Sequence, residues 1–326
     1  MAVLNEPGHS DDFVRPPLSY PGNKAELAES IIECFPEHET YVEPFGGTAS
    51  VLFNKSESRN EVINDINTSL TTFMRVLRDD VEPLIEYIRQ TPYSEAEYDR
   101  IKAKWKRDYR PADDVKHAAW LFFLRRGSFG SDLGGFRAEA TGRKNSARQF
   151  RNATERLREL SGRLQEVVIR NTDWRDVIEK YASPDTFFFL DPPYRGLEGY
   201  YDHFFQYDMF QDYWIHHFDG SLNSVVEEAH DWVPPAFLEQ PAFKEADEDF
   251  QYGSPRSPFD VLICSDGPLD GLMPYTWTLK LPGHTHEINN LSGSKEVAET
   301  LTMNYNPNAP DFQPFLGTDQ QSLQNF

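Results

Sequence analysis

The stretch TYVEPFGGTASVLFN (Thr40–Asn54) decides the fold class. Thr40–Glu43 has the composition of a short buried strand, and the apolar residues at 51–53 favour a helix after it. Between them, Gly46 and Gly47 allow the backbone to approach a ligand beside the free N–H groups of a helix N-terminus. A tight turn with no functional role is the alternative explanation of the glycine pair.

A second strand, Glu61–Asn64, ends in Asp65 and is followed by the helical pattern TSLTTFMRVLRD (Thr68–Asp79). Strand, glycine turn, helix, strand and acid in this order predict half of a doubly wound α/β sheet. Asp65 stands where such sheets place an acid that accepts hydrogen bonds from ribose hydroxyls. The alternative is an N-cap for the helix that begins near Thr68.

The stretch TFFFLDPPYRG (Thr186–Gly196) predicts a chemical site. Its four consecutive apolar residues favour a strand that is buried on both faces. Pro192 and Pro193 have no N–H, so the Asp191 carboxylate and the Pro192 carbonyl are acceptors without a competing donor nearby. Tyr194 supplies a flat ring for stacking on a planar base. The pattern therefore predicts a site that holds an amino group attached to a flat ring.

Residues 79–163 differ from the rest of the chain because four helical patterns occur there with no clear strand between them. These patterns are VEPLIEYIRQ, SEAEYDRIKAKWKRD, DDVKHAAWLFFLRR and SARQFRNATERLREL. We expect a helical domain inserted into an α/β domain formed by residues 15–78 and 164–326. Within the latter, residues 203–258 form an acidic, aromatic insertion to which the sequence assigns no role.

The final third predicts a strand at FDVLICSD, a hairpin at YTWTLKLPGHTHEIN and a last strand at ETLTMNY. The polar tail after Pro307 is expected to be loosely ordered.

The charge is distributed unevenly. With 53 acids against 32 bases the formal net charge is -21, which by itself argues against a nucleic-acid partner. Yet residues 100–163 hold 17 bases and 7 acids, whereas residues 197–262 hold 14 acids and two bases. A solvated helix face would explain the basic run. Glycines and aromatics among the arginines of LRRGSFGSDLGGF (Leu124–Phe136) favour a loop that contacts nucleic acid.

Other sequence features indicate where in the cell the protein is expected to act. The sequence has no stretch approaching the ~20 apolar residues of a membrane span and no recognisable signal peptide, so we expect a cytoplasmic protein without membrane contact. Cys34 and Cys264 are the two cysteines; their spacing predicts ordinary buried thiols and no metal site. A salt-rich host is a hypothesis that follows from the acidity, because salt would screen the repulsion from DNA.

These motifs, in this order, resemble the Dam-type DNA adenine N6-methyltransferases, which use S-adenosylmethionine. The matching pieces are LSYPGNK, YVEPFGGTASVLFN, INDIN, FFLRRGSFGSDLGGF, TDWRDVI and LDPPY. The resemblance implies a Rossmann-like methyltransferase sheet and an inserted target-recognition domain. It also implies sequence-specific methylation of a flipped adenine in double-stranded DNA, without a metal.

The resemblance also implies roles for individual residues. Asp191 and the Pro192 carbonyl would accept the hydrogen bonds of the target amine, and Tyr194 would stack on the base. The cofactor-binding residues would be Tyr20, Lys24, Glu43, Phe45, Gly46, Gly47, Asp65, Asp173 and Asp191. Contacts with DNA are expected from Arg125, Arg126, Arg137, Arg143 and Lys144.

Three other functions are weighed. A cytosine N4-methyltransferase has the same chemistry, but its catalytic motif often has serine where this chain has Asp191. A catalytically inactive DNA-binding relative would not need the set Lys24, Asp65, Asp191 and Tyr194. A nicotinamide-dependent oxidoreductase is disfavoured because no G-x-G-x-x-G turn follows the first strand. We expect a monomer, and a cognate restriction endonuclease is a further candidate partner.

Overall fold

The computed structural model describes residues 13–20, 22–129, 133–141, 144–194, 205, 210, 259–265, 275–280, 298–305, 307, 309–310 and 312–317. Its strands are β1 (Thr40–Glu43), β2 (Asn60–Asn64), β3 (Ala140–Thr141), β4 (Lys144–Asn145), β5 (Val167–Arg170), β6 (Thr186–Leu190), β7 (Asp260–Ser265), β8 (Tyr275–Lys280) and β9 (Ala298–Met303). Its helices are α1 (Ala28–Ile32), α2 (Thr68–Asp79), α3 (Val81–Gln90), α4 (Glu95–Trp105), α5 (Asp114–Gly127), α6 (Ser146–Glu155), α7 (Leu157–Arg163) and α8 (Trp174–Tyr181), with a 3-10 turn at Ala25–Leu27 before α1.

Seven strands form one sheet in the order β5-β2-β1-β6-β7-β9-β8. From β5 to β7 the strands are parallel, and β9 runs antiparallel to both of its neighbours. The chain moves outward from β1 to β2 and β5, then returns across β1 to form β6 and β7. The strand order therefore reverses between β1 and β6, where open α/β sheets bind ligands at the carboxyl ends of their strands. The predicted α/β fold class is confirmed.

Strand β6 lies at the centre because all five of its residues are buried. Phe187 and Phe189 pack into the larger hydrophobic core, whereas Phe188 and Leu190 pack into a second core on the other face. This alternation is what a parallel strand covered on both faces requires. Burial anchors the strand, so its carboxyl end is held at a fixed position.

The helices predicted between residues 81 and 163 are present, with two differences. The last pattern forms two helices, α6 and α7, and a two-stranded hairpin of β3 and β4 precedes them. Helix α5 packs against both α2 and α3. Because α2 in turn contacts the sheet at β5, α5 packs onto a helix that covers the sheet. The helix expected at 51–53 is a series of turns, because Ala49 adopts the left-handed conformation with φ of 54°.

The end of the chain also differs from expectation. The prediction of a loose tail after Pro307 is wrong for Phe315, which is 8% exposed. Its ring stacks on His38 with 4.2 Å between centroids, and its N–H donates to the Phe35 carbonyl at 3.0 Å. Strand β8 is confirmed, but the second arm of the predicted hairpin lies outside the described residues. Cys34 and Cys264 are buried, as predicted.

A buried ion triad joins the start of β2 to helix α7. Glu61 is 5% exposed and accepts hydrogen bonds from both Lys55 and Arg163. Burial would raise the pKa of Glu61, but the hydrogen bonds and charges of Arg163 and Lys55 hold it below its usual value. Both cations thus depend on one carboxylate for their compensation.

We predict that Glu61→Gln lowers the free energy of unfolding by about 3 kcal/mol, because it leaves buried positive charge uncompensated. Glu39→Gln is the matched control, since Glu39 pairs with Arg59 at 3.2 Å on the surface. That change should cost less than about 1 kcal/mol. Urea denaturation near neutral pH measures both variants, and equal losses in the two would contradict the prediction.

Candidate active site at the carboxyl ends of the parallel strands

A cleft with about 230 Å³ of water-accessible space opens where the strand order reverses. Its walls come from the carboxyl ends of β1, β2, β5 and β6 and from the segment before α1. All nine residues predicted to bind the cofactor line it: Tyr20, Lys24, Glu43, Phe45, Gly46, Gly47, Asp65, Asp173 and Asp191. Parallel pairing brings these distant positions together, because it places the ends of all four strands at one edge.

The glycine turn after β1 is held close to the end of β2. Gly46 donates to the Asn64 carbonyl at 2.6 Å, and a Cβ atom at Gly46 would lie 3.1 Å from that oxygen. Gly47 has φ of +50°, and a Cβ there would meet nothing within 4 Å. Gly46 thus permits the close approach, and Gly47 supplies the left-handed turn.

Asp65 connects this turn to helix α2. Its carboxylate accepts from the Gly47 N–H at 2.9 Å and from the Asn67 N–H at 2.8 Å. The helix is capped by Asn67, whose side chain accepts from the Ser69 N–H, so the N-cap alternative for Asp65 is wrong. A carboxylate offers about four acceptor positions in all.

Asn64 is a structural residue of the site that the sequence analysis missed. Its side chain donates to the carbonyls of Pro44 and Thr172 at 2.9 and 3.0 Å and accepts from the Thr172 N–H at 3.0 Å. It thereby ties together the ends of β1, β2 and β5. A polar residue at the end of an otherwise apolar strand was the available signal.

One wall of the cleft is aromatic. The Phe45 ring lies 5.9 Å from Trp174 and 5.7 Å from Phe205, measured between centroids. Phe210 packs against the same rings and is 1% exposed. Sequence reasoning had singled out neither Trp174 nor these two phenylalanines. Phe205 and Phe210 belong to the acidic insertion, whose other residues lie outside the described part of the chain.

Asp173 lies at the start of α8, beside the aromatic wall. It caps the helix by accepting from the Arg175 N–H at 2.9 Å and forms an ion pair with the Arg175 side chain at 2.7 Å. Burial would raise the pKa of Asp173, but its bonds with Arg175 outweigh that effect and lower the pKa. Asp173 is therefore a fixed negative charge at the edge of the cleft.

Asp191 and Lys24 form an ion pair in the wall of the cleft, and Tyr194 lies beside them. The Lys24 ammonium lies 2.7 Å from the Asp191 carboxylate, donates to the Gly22 carbonyl at 2.8 Å and lies 4.9 Å from the centroid of the Tyr194 ring. The Tyr194 hydroxyl is 3.5 Å from the same carboxylate. Burial raises the pKa of Asp191, and Lys24 and Tyr194 counteract that rise. A nitrogen with N–H bonds is thus held between a carboxylate, a carbonyl and an aromatic face.

Glu43 forms part of the floor of the cleft and is 2% exposed. Its carboxylate accepts from the Tyr41 hydroxyl at 2.6 Å and from the Leu52 N–H at 2.9 Å. Burial raises the pKa of Glu43 to about 7. These bonds fix the turn that follows Gly47 against the end of β1.

The residues predicted to contact DNA fall into three groups. Arg125 is buried over the Tyr20 ring at 4.2 Å, and Arg126 donates to the carbonyls of Pro16 and Pro17 at 2.6 and 2.7 Å. Arg137 is partly exposed in the loop after α5. Arg143 and the side chain of Lys144 lie outside the described residues. The first two guanidinium groups thus already have intramolecular contacts.

Within the described residues, no group of three or more His, Cys, Asp or Glu side chains is placed to hold a metal ion. In the same part of the chain, none of the helices is long and apolar enough to cross a membrane.

The mostly parallel sheet with a cleft at its switch point places the protein in the Rossmann-like class. Within that class, the chain belongs to the D12 class N6 adenine-specific DNA methyltransferases, whose family model matches residues 20–230. The protein is therefore an adenine-specific DNA methyltransferase, which confirms the predicted resemblance, reaction and target base.

Two similar proteins are also methyltransferases by name. The type II methyltransferase M.MjaIII of Methanocaldococcus jannaschii is 26% identical over 207 residues, which cover 56% of this chain and 70% of the relative. The type II methyltransferase M.CviBI of Paramecium bursaria Chlorella virus NC1A is 24% identical over 192 residues, again 56% of this chain and 70% of the relative.

Proposed function

We propose that the cleft binds S-adenosylmethionine and that the chain transfers its methyl group to N6 of an adenine flipped out of double-stranded DNA. One observation supports this most directly. The Asp65 and Gly47 edge and the Asp191 and Pro193 edge belong to one continuous cleft. A donor molecule and an acceptor base can therefore meet inside it.

The residues present suit this cofactor. Asp65 can accept hydrogen bonds from a ribose diol, and the Phe45 and Trp174 rings offer an apolar wall to an adenine ring. At Gly47 the open space permits close approach to the backbone. When bound, S-adenosylmethionine supplies a methyl group that is already activated by a sulfonium leaving group.

The chain's own contribution is to hold the target amine. An exocyclic amine is a poor nucleophile because its lone pair is delocalised into the ring. The Asp191 carboxylate and the Pro192 carbonyl accept its two N–H bonds, which favours a pyramidal nitrogen and directs the lone pair. Tyr194 stacks on the base and fixes its plane. Fixed acceptors of this kind stabilise the transition state more than the ground state.

The target base must leave the helix to reach this depth. Residues 128–129 and 133–137 follow α5 in a loop, and Phe129 within it is 62% exposed. An exposed aromatic ring beside arginines suits insertion between base steps, which eases extrusion of a neighbouring base. We assign the loop and Arg137 to the DNA contact, with Arg143 and Lys144 as further candidates.

Lys24 is proposed to keep Asp191 ionised before the amine arrives. Lys24→Met removes the charge that counteracts the effect of burial, so the pKa of Asp191 should rise further above its usual value. As the pH falls, Asp191 of the variant then becomes protonated at a higher pH than Asp191 of the wild type. The dependence of kcat on pH is measured at saturating DNA from about pH 5 to about pH 9. We expect the acidic limb of this profile to move to higher pH.

Lys24→Arg keeps the positive charge and should leave the acidic limb near its wild-type position. Buried Glu43 also interacts electrostatically with Asp191, so Lys24→Met should also be tested in a Glu43→Gln background. An unchanged limb in both backgrounds would rule out the role proposed for Lys24.

The proposed reaction is tested by its product. Purified protein is incubated with unmethylated plasmid DNA and S-adenosylmethionine, and the DNA is digested to nucleosides for mass spectrometry. We expect N6-methyladenine; N4-methylcytosine, or no modified base despite cofactor binding, would overturn the proposal. Sequencing of the same DNA for modified bases would give the recognition sequence.

The type II names of both relatives support a role beside a restriction endonuclease of the same specificity. We propose that the chain acts as a monomer on duplex DNA in such a system. Protection of methylated plasmid from a partner endonuclease encoded beside its gene would test this role.

A further inference from the structure

The described basic side chains of residues 79–163 fall into two groups, those in ion pairs and those without an acidic partner among the described residues. Several arginines are neutralised in ion pairs, such as Arg89 with Glu155 at 2.7 Å and Arg158 with Glu82 at 2.6 Å. By contrast, Lys104, Lys106 and Arg107 are exposed, and no acidic side chain among the described residues lies within 4.0 Å of their charged groups. Positive charge available to an outside partner therefore remains at the end of α4.

This end of α4 meets the start of α5 to form a basic surface, which we call the α4–α5 corner; it consists of Lys104, Lys106, Arg107, Tyr109 and Lys116. Between residues 102 and 116 there are six bases and three acids. Of the acids, Asp114 pairs with Arg75 at 2.7 Å and Asp113 caps α5, whereas Asp108 is fully exposed. The corner therefore keeps a positive excess.

Two aromatic rings, Trp120 and Tyr109, pack beside the cations of the corner. Trp120 is 2% exposed, and the ammonium groups of Lys104 and Lys116 each lie 5.6 Å from its ring centroid. The Tyr109 ring lies 5.9 Å from the same ring and is 49% exposed. The Tyr109 N–H donates to the Lys104 carbonyl at 3.1 Å, which closes the turn. Cations held in this way lose little further freedom on binding an anion.

Helix α4, which carries part of the corner, is also connected to the segment that follows α5. On α4, Lys102 and the Tyr98 hydroxyl both donate to the Gly134 carbonyl, at 2.5 and 2.9 Å. Gly134 lies in the segment that follows α5, and Arg125 near the end of α5 lies over the Tyr20 ring, which lines the cleft.

We propose that the α4–α5 corner binds the phosphate backbone of duplex DNA that flanks the recognition sequence. This inference rests on the proposed action on duplex DNA and names a contact separate from the base-reading loop. Lysine and arginine bind phosphates, and the exposed Tyr109 hydroxyl can donate to one as well. Such contacts carry no sequence information, so they add affinity on every flanking sequence.

The test compares the triple variant Lys104→Gln, Lys106→Gln and Arg107→Gln with the wild type. Binding to duplexes of about 12 and about 30 base pairs is measured by fluorescence anisotropy over a range of salt concentrations. We expect the wild type to bind the longer duplex more tightly. In the triple variant that gain should largely disappear, and the slope of log Kd against log salt should fall by about 2 to 3. The kcat at saturating plasmid DNA and the sequence methylated should not change.

The matched control removes three positive charges that are already paired with acids outside the corner: Arg59→Gln, Arg89→Gln and Arg158→Gln. It should keep the length dependence and most of the salt slope. Equal effects in the two triple variants, or a retained length dependence in the first, would overturn the proposal. A wild-type protein that methylates no DNA would instead overturn the proposed function. Thermal melting verifies that both variants are folded.

Discussion

Replacing Asp191 with alanine should lower kcat for DNA methylation by at least about 10³-fold, because it removes a preorganised acceptor for the target amine. Cofactor binding should remain measurable, since the Gly47 and Asp65 edge of the cleft is untouched. Asp191→Asn keeps the side-chain volume but introduces an amide donor and one weaker acceptor. It should also be severely impaired. Single-turnover methylation and calorimetric titration with S-adenosylmethionine measure the two quantities separately.

Asp191→Ala also leaves the Lys24 ammonium, 6% exposed, without its carboxylate partner. A loss of activity through unfolding is therefore checked by thermal melting of both Asp191 variants. Asp185→Asn is the control, because Asp185 is exposed just before the opposite end of β6. It should retain wild-type activity. Near-normal methylation by folded Asp191→Ala would eliminate the proposed role of this residue.

Replacing Asp65 with alanine should produce the opposite kinetic pattern. The change removes the acceptor shared by Gly47 and Asn67 and the acceptor proposed for the cofactor ribose. We expect the Kd for S-adenosylmethionine to rise by about 100-fold, equivalent to about 2.7 kcal/mol. At saturating cofactor, kcat should fall much less than it does in Asp191→Ala. The pair of variants thereby separates cofactor binding from acceptance of the amine.

Asp65→Asn preserves one carbonyl oxygen and should give an intermediate Kd. Asp80→Ala, at an exposed position beyond the other end of α2, is the control and should bind the cofactor normally. If Asp65→Ala bound S-adenosylmethionine as tightly as Asp80→Ala does, the ribose contact would have to be assigned elsewhere.

The strand ends that build the site could be predicted because their signals are local. The apolar run of β6 needs two buried faces, and Pro192 and Pro193 prevent the strand from continuing. The same local reasoning failed after Gly47, where apolar residues predicted a helix. Ala49 in the left-handed conformation produces turns there instead. Composition does not report such a backbone state.

The sequence by itself determined the order of the strands along the chain, the acidic and aromatic residues at their ends and the basic character of residues 100–163. Only the tertiary structure decided which charges meet. It paired Lys24 with Asp191, held Arg126 on the carbonyls of Pro16 and Pro17, and left the α4–α5 corner with unpaired cations. The partners in these contacts are more than a hundred positions apart. No local pattern encodes them, because an ion pair depends on distance in space and on burial.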